Sequence, residues 1–261
     1  MAKQILLSFD VEEFDIPLEF QHPVPMDQQM AMGAQGLQTV LALLQPRGIR
    51  STLFTTAHFA DHQATLVKQA AATHEIASHS YHHSRYDDAD LLKSRLALQS
   101  LTGQPITGFR RPRLQPTDSG LIREAGYTYN SSENPIWLPG RYNNLRRPRT
   151  AYRDQGLLNI PISASPGLRV PLFWLAIKNF PMRVIRYASQ RCLDRDGYLC
   201  IFFHPWEFLD LSGFGLPGYI ARRDGQAMVD RLEAYLDFLS PLGEFVTMDQ
   251  FARERQFALE S

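Results

Sequence analysis

The chain has 261 residues, a length that fits one large α/β domain or two small ones. Apolar residues make up 44% and charged residues 21%, which excludes a disordered chain. Lys plus Arg and Asp plus Glu are each 27, so net charge is zero and the electrostatic case for nucleic acid or an anionic membrane as partner falls away.

Short apolar runs alternate with helical patterns along the chain. In order, strands are predicted over Gln4–Phe9, Thr52–Thr56, Glu75–Ser78, Gly108–Arg110, Thr128–Asn130, Leu158–Ile160, Leu199–Phe203 and Glu244–Thr247. Helices are predicted over Leu37–Leu44, Gln63–Ala72, Ala89–Leu101, Asp118–Glu124, Trp174–Leu193 (broken at Pro181) and Gln226–Leu239. Continuous apolar strands between amphipathic helices indicate a parallel sheet buried on both faces. Seven or eight such units suggest a barrel, with an open doubly wound sheet as the alternative. No composition break marks a linker, so 1–261 reads as a single domain. Segments 12–36, 131–150 and 210–225, rich in Pro or Gly, read as long loops that wall a groove.

No Gly-rich phosphate loop follows a strand, which argues against a nucleotide site. Cys192 and Cys200 lie in or beside apolar segments and read as buried thiols. The first apolar run is short and ends in Asp10, unlike a signal peptide, and no segment is long and apolar enough to span a membrane; Lys178 interrupts the nearest approach. The chain therefore reads as cytoplasmic.

Four motifs carry chemistry, each at or just after the C-terminal end of a predicted strand, where a parallel barrel gathers its active site. Asp10-Val11-Glu12-Glu13 ends the first strand. In an extended segment Asp10 and Glu12 project to one side, able to supply a metal ligand and a base. His79-Ser80-Tyr81-His82-His83 spaces imidazoles as on a helical turn; His79 and His83 at i and i+4 can converge on one ion, and His82 at i+3 is on a compatible face. Arg110, in Phe109-Arg110-Arg111-Pro112-Arg113, can hold Asp10 ionised and oriented. His204, in His204-Pro205-Trp206-Glu207 after an apolar strand, is placed to act as a general acid. Taken singly, each motif also reads as an ordinary strand end, turn or surface cluster.

The order of these motifs resembles the polysaccharide deacetylase family, the NodB-homology carbohydrate esterases, from Gln4 to about Phe251, and within it a branch bearing FDVEE and HPWE. HSxxH is the most specific element. The resemblance implies a distorted (β/α) barrel of about seven parallel strands. It implies Asp10 as catalytic base, His204 as catalytic acid and Arg110 as brace of the base. His79 and His83 match the metal-ligating histidines. The family's first motif has two adjacent aspartates; here Val11 takes the second place, and Glu12 is the nearest carboxylate able to serve as ligand. Arg113 stands where the family often has Tyr, contributing a backbone N–H to the oxyanion, and Leu199 with Trp206 would wall the acyl pocket. Asn130 stands where Asp is frequent. One divalent ion is implied, zinc foremost, with cobalt, nickel or iron also suited to such a ligand set. The partner is then a carbohydrate or small amide substrate, and an oligomer is compatible. The rival readings are a small amide or ureide hydrolase of the allantoinase-like type, which needs no metal, and a silent carbohydrate binder.

Overall fold

The structure is a computed structural model that describes residues 2–260. Its centre is a curled, mostly parallel sheet. The strands are β1 (Gln4–Val11), β2 (Thr52–Thr55), β3 (Glu75–Ser78), β4 (Gly108–Phe109), β5 (Tyr129–Asn130), β6 (Trp137–Leu138), β7 (Tyr142–Asn143), β8 (Tyr152–Asp154), β9 (Leu157–Asn159), β10 (Tyr198–Phe203) and β11 (Glu244–Phe245). The order β10-β1-β2-β3-β4-β5-β9 is parallel throughout, which bears out the predicted distorted barrel of about seven parallel strands in the form of a half-barrel. β8 adds an antiparallel edge to β9, and β11 pairs with the start of β1. The sheet does not close by strand pairing. Instead the segment after β9 bridges to β10: the Ser163 N–H donates to the Cys200 carbonyl and the Cys200 N–H donates to Ser163 Oγ, both at 2.9 Å.

The central strands are apolar because helices cover one face and packed side chains fill the other. β2 and β10 are buried at every position, and β1 everywhere past Gln4. The helices are α1 (Met26–Leu44), α2 (Ala57–His62), α3 (Ala64–Ala71), α4 (Ala89–Thr102), α5 (Ser119–Glu124), α6 (Trp174–Asn179), α7 (Met182–Asp196), α8 (Gly218–Ala221), α9 (Gly225–Leu239) and α10 (Met248–Glu260). Pro181 separates α6 from α7, as its ring and missing N–H require. No described helix is long and apolar enough to cross a membrane.

Several elements depart from expectation. α1 begins at Met26, eleven residues before the predicted Leu37, inside the expected loop 12–36. Pro25 is its N-cap, so a proline that looked like loop punctuation starts a helix. Gly33 and Gly36 also looked like breakers but are packing positions. A Cβ at Gly33 would stand 2.5 Å from the Glu12 carbonyl oxygen, and one at Gly36 would overlap the Pro205 carbonyl. α10 lies where no helix was predicted. The expected loop 131–150 holds the β6–β7 hairpin, and 210–225 holds α8.

Candidate active site

The site lies at the C-terminal end of the parallel strands. Asp10 and Glu12 both line its pocket while Val11 between them is wholly buried in the core, the alternation expected of an extended segment. His79 follows β3, His204 follows β10, and Arg110 follows β4.

The histidines converge, but not on a helical turn. Residues 79–83 are irregular, and Ser80 takes the left-handed conformation (φ 67°). That reversal brings the rings of His79 and His83 within 5.6 Å, nearly parallel. His79 Nδ1 lies 2.9 Å from the Arg110 carbonyl oxygen, which can only accept, so Nδ1 carries the proton and Nε2 the lone pair. His83 Nδ1 lies 2.7 Å from Asp15 Oδ1. Such outer partners fix the tautomer and leave Nε2 available as a ligand. Glu12 Oε2 then stands 3.2 Å from His79 Nε2 and 3.1 Å from His83 Nε2. Neither Glu12 Oε2 nor His79 Nε2 has a hydrogen-bond partner among the described residues, though both are buried. Buried lone pairs facing one another are costly unless a cation takes them. These distances lie just inside the edge of a tetrahedron around an ion bound at about 2.0–2.2 Å, roughly 3.3–3.6 Å, so a slight spreading of the three atoms would admit one. The residues present therefore fit a divalent ion. His82 is not part of this group: it is half-buried, with its ring 4.7 Å from that of His58.

Asp10 lies beside the ligands, its Oδ2 3.9 Å from His79 Nε2. Arg110 Nη1 donates to Asp10 Oδ1 at 2.6 Å and to Ser8 Oγ at 3.1 Å; Nε and Nη2 donate to the Ser131 carbonyl and hydroxyl. The guanidinium is wholly buried and stacks over Phe54. Burial pushes the Asp10 carboxyl up, but the charge and hydrogen bond of Arg110 outweigh it and hold Asp10 below its ordinary value.

On the other side, Glu207 Oε1 accepts the His204 backbone N–H (2.8 Å) and faces its Nδ1 (3.2 Å). Burial disfavours the imidazolium, yet the Glu207 hydrogen bond and the charges of Glu12, Glu207 and Asp10 raise His204 above its ordinary value. Trp206 stacks on His204 (ring centroids 4.7 Å apart, 20° between planes), and its Nε1 donates to Glu12 Oε1 at 3.2 Å. Trp206 thus lines the pocket and also holds both a candidate ligand and the candidate acid.

Arg113 lines the mouth in a left-handed conformation (φ 57°), and its side chain pairs with Asp15 and Glu19. Leu199 is not brought to the site. It sits near the start of β10, opposite Ile5 and wholly buried, because pocket-facing positions fall at the other end of that strand. Phe202 is the β10 residue in the wall, joined by Phe173 and Trp174 from the α6 region. Asn130 also lies elsewhere, donating through Nδ2 to Asn159. Sequence reasoning gave no role to Asp15, Glu207 or Lys178. Lys178, on α6, is wholly buried; its Nζ stands 3.3 Å from Glu207 Oε2 and donates to the Ile220 carbonyl at 2.9 Å. A lone lysine inside an otherwise apolar run was the available signal.

Fold and site together bring a carboxylate braced by Arg110, a histidine braced by Glu207 and a Glu–His–His group that could hold a divalent ion to one pocket. Residues 3–130 match the family model described as polysaccharide deacetylase, so the chain carries a domain of that family over those residues. A sequence search of curated proteins gives no match. Among solved structures the chain is similar to a Mycobacterium smegmatis protein assigned as a polysaccharide deacetylase (20% identity, covering 97% of this chain and 91% of that one, TM-score 0.65). It is also similar to the Puue allantoinase (18% identity, 96% and 89%, TM-score 0.61). A third match is BA3943 of Bacillus anthracis, a CE4 family pseudoenzyme (11% identity, 96% and 66%, TM-score 0.52). At these identities the likeness is one of fold.

Proposed function

We propose that the protein is a metal-dependent amide hydrolase that removes the acetyl group from an N-acetylated sugar or polysaccharide. The observation that carries this reading is the convergence of Glu12 Oε2 with His79 and His83 Nε2, two of the three atoms being buried without any other partner. Glu12, His79 and His83 would hold the ion, with zinc the first choice and cobalt, nickel or iron as alternatives. A divalent ion there supplies Lewis acidity toward the acyl oxygen and makes a neighbouring water more acidic.

The protein's own groups account for the proton movements. Asp10, kept ionised by Arg110, accepts a proton from the water that attacks the acyl carbon. His204, whose pKa Glu207 raises, donates a proton to the amide nitrogen as the C–N bond breaks. The backbone N–H of Arg113 is the proposed donor to the oxyanion. Acetate and a free amine leave. Trp206 and Phe202 exclude water on the acid side.

A second reading is a small amide or ureide hydrolase. It is favoured by the mouth, where Leu138 and Tyr142 of the β6–β7 region and Tyr219 of α8 join Phe173 and Trp174 around the same pocket as the candidate ligands. The buried, unpaired Cys192 and Cys200 accord with a reducing, cytoplasmic setting, and with a precursor or small molecule as substrate. The deciding experiment is an acetate-release assay on N-acetylated monosaccharides and oligosaccharides, beside ammonia release from ureides, with the zinc-loaded protein and with Asp10→Asn. Acetate release abolished in Asp10→Asn supports the first reading. Ureide turnover alone selects the second. Glycan binding without turnover, unchanged in Asp10→Asn, selects the silent binder.

A further inference from the structure

Beside the first group lies another set of ligating side chains, Glu13, His58 and His82, each offering one ligand atom within 4.8 Å of the others. Glu13 follows Glu12 and His82 precedes His83, so the two groups hang from the same two backbone segments. His58, on α2, faces them from a third element. We infer that Glu13, His58 and His82 form a second, outer site for a borderline divalent transition-metal ion such as zinc.

Three observations support it. First, the Glu13 carboxylate is buried, no Lys or Arg lies within ion-pair distance among the described residues, and His58 Nδ1 stands 3.4 Å from it. Its oxygens accept from the His83 N–H (3.1 Å) and Thr56 Oγ1 (2.8 Å), which hold the carboxylate in place beside the His58 imidazole. Second, the imidazoles of His58 and His82 lie 4.7 Å apart beside that carboxylate and are only half-buried, leaving room for water as a further ligand. Third, a cation already rests on His82: the exposed Arg85 guanidinium stands 2.6 Å from Nε2. A divalent ion with three ligands would displace that monovalent, exposed contact. Imidazole and carboxylate suit zinc, copper and nickel over magnesium or calcium. Because Glu13 also accepts the His83 N–H, an ion that draws Glu13 outward loosens the segment that positions His83.

The inference does not rest on the proposed activity and is tested by zinc binding alone. Equilibrium dialysis of the full chain against zinc, followed by elemental mass spectrometry, should give two ions per chain. His58→Ala/His82→Ala should hold one, His79→Ala/His83→Ala one, and the fourfold variant none, with circular dichroism melts checking each fold. The outer site is overturned if His58→Ala/His82→Ala holds as many ions as the unaltered chain. One ion that survives in His79→Ala/His83→Ala and vanishes in His58→Ala/His82→Ala upholds the outer site while removing the inner one, so the two readings fail separately.

Discussion

Replacing Lys178 by Met tests whether a buried charge pair supports the candidate acid. Lys178 and Glu207 are both wholly buried, with 3.3 Å between Nζ and Oε2. At an effective dielectric of about 20 the attraction at that distance is about 5 kcal/mol. Removing one partner of a buried pair costs roughly 3–5 kcal/mol, because the other charge is left without compensation. The Ile220 carbonyl also loses its donor. A destabilisation of about 4 kcal/mol lowers Tm by roughly 8–16 °C in a chain of this size. Urea unfolding followed by circular dichroism, on metal-free protein, reads the change. The companion is Lys178→Met/Glu207→Gln, in which no charge is stranded and Gln can still accept the His204 N–H; most of the lost stability should return. A loss below about 1 kcal/mol in the single variant, or a double variant no more stable than the single, would refute the reasoning.

Asp10→Asn should keep the zinc content of the unaltered chain while turnover falls by about 10²–10⁴, read by metal analysis beside acetate release. Glu207→Gln removes the negative partner that raises His204, so the alkaline limb of the pH–rate profile should move to lower pH; an unmoved limb would detach His204 from Glu207. His74, buried against Ser51, has its pKa lowered from 6.5 to about 4, by burial and then by Arg50. The unfolded chain therefore binds the proton first, and this contribution to stability is intact above pH 6.5 and lost as pH falls toward 4. His74→Gln should flatten the pH dependence of urea midpoints across that window. Gly36→Ala drives a methyl into the Pro205 backbone and should cost about 1–3 kcal/mol in the same unfolding assay, with no loss of bound metal.

Most of the sheet was legible because buried parallel strands are short, apolar and bounded, and all eight predicted strands are present. The placement of Asp10 and Glu12 was legible from the period of two. The convergence of His79 with His83 was anticipated through the wrong geometry: helical spacing was assumed, whereas a left-handed Ser80 does the work, and serine carries no sequence mark of positive φ. Half of α1 was missed because Pro25, Gly33 and Gly36 carry the residue types of a loop; only the packed backbone shows why glycine stands there. Asp15 and Lys178 were missed for a different reason. Their partners, His83 and Glu207, lie 68 and 29 positions away, and no local pattern links such pairs. Leu199 was placed on the right strand but at the wrong end of it.

The two glycines of α1 have a consequence for how the molecule ages under heat. One lies against the Glu12 carbonyl and the other against Pro205, so a single helix abuts both the ligand side and the acid side of the chemistry. Each glycine faces a main-chain carbonyl, which unlike a flexible side chain has no rotamer to absorb a displacement. The helix therefore acts as a gauge block, fixing the gap between the two halves by its own thickness. Loosening α1 changes that gap before the sheet itself comes apart. Thermal inactivation should then run ahead of global unfolding, with hydrogen exchange in α1 rising at the temperature where turnover begins to fail.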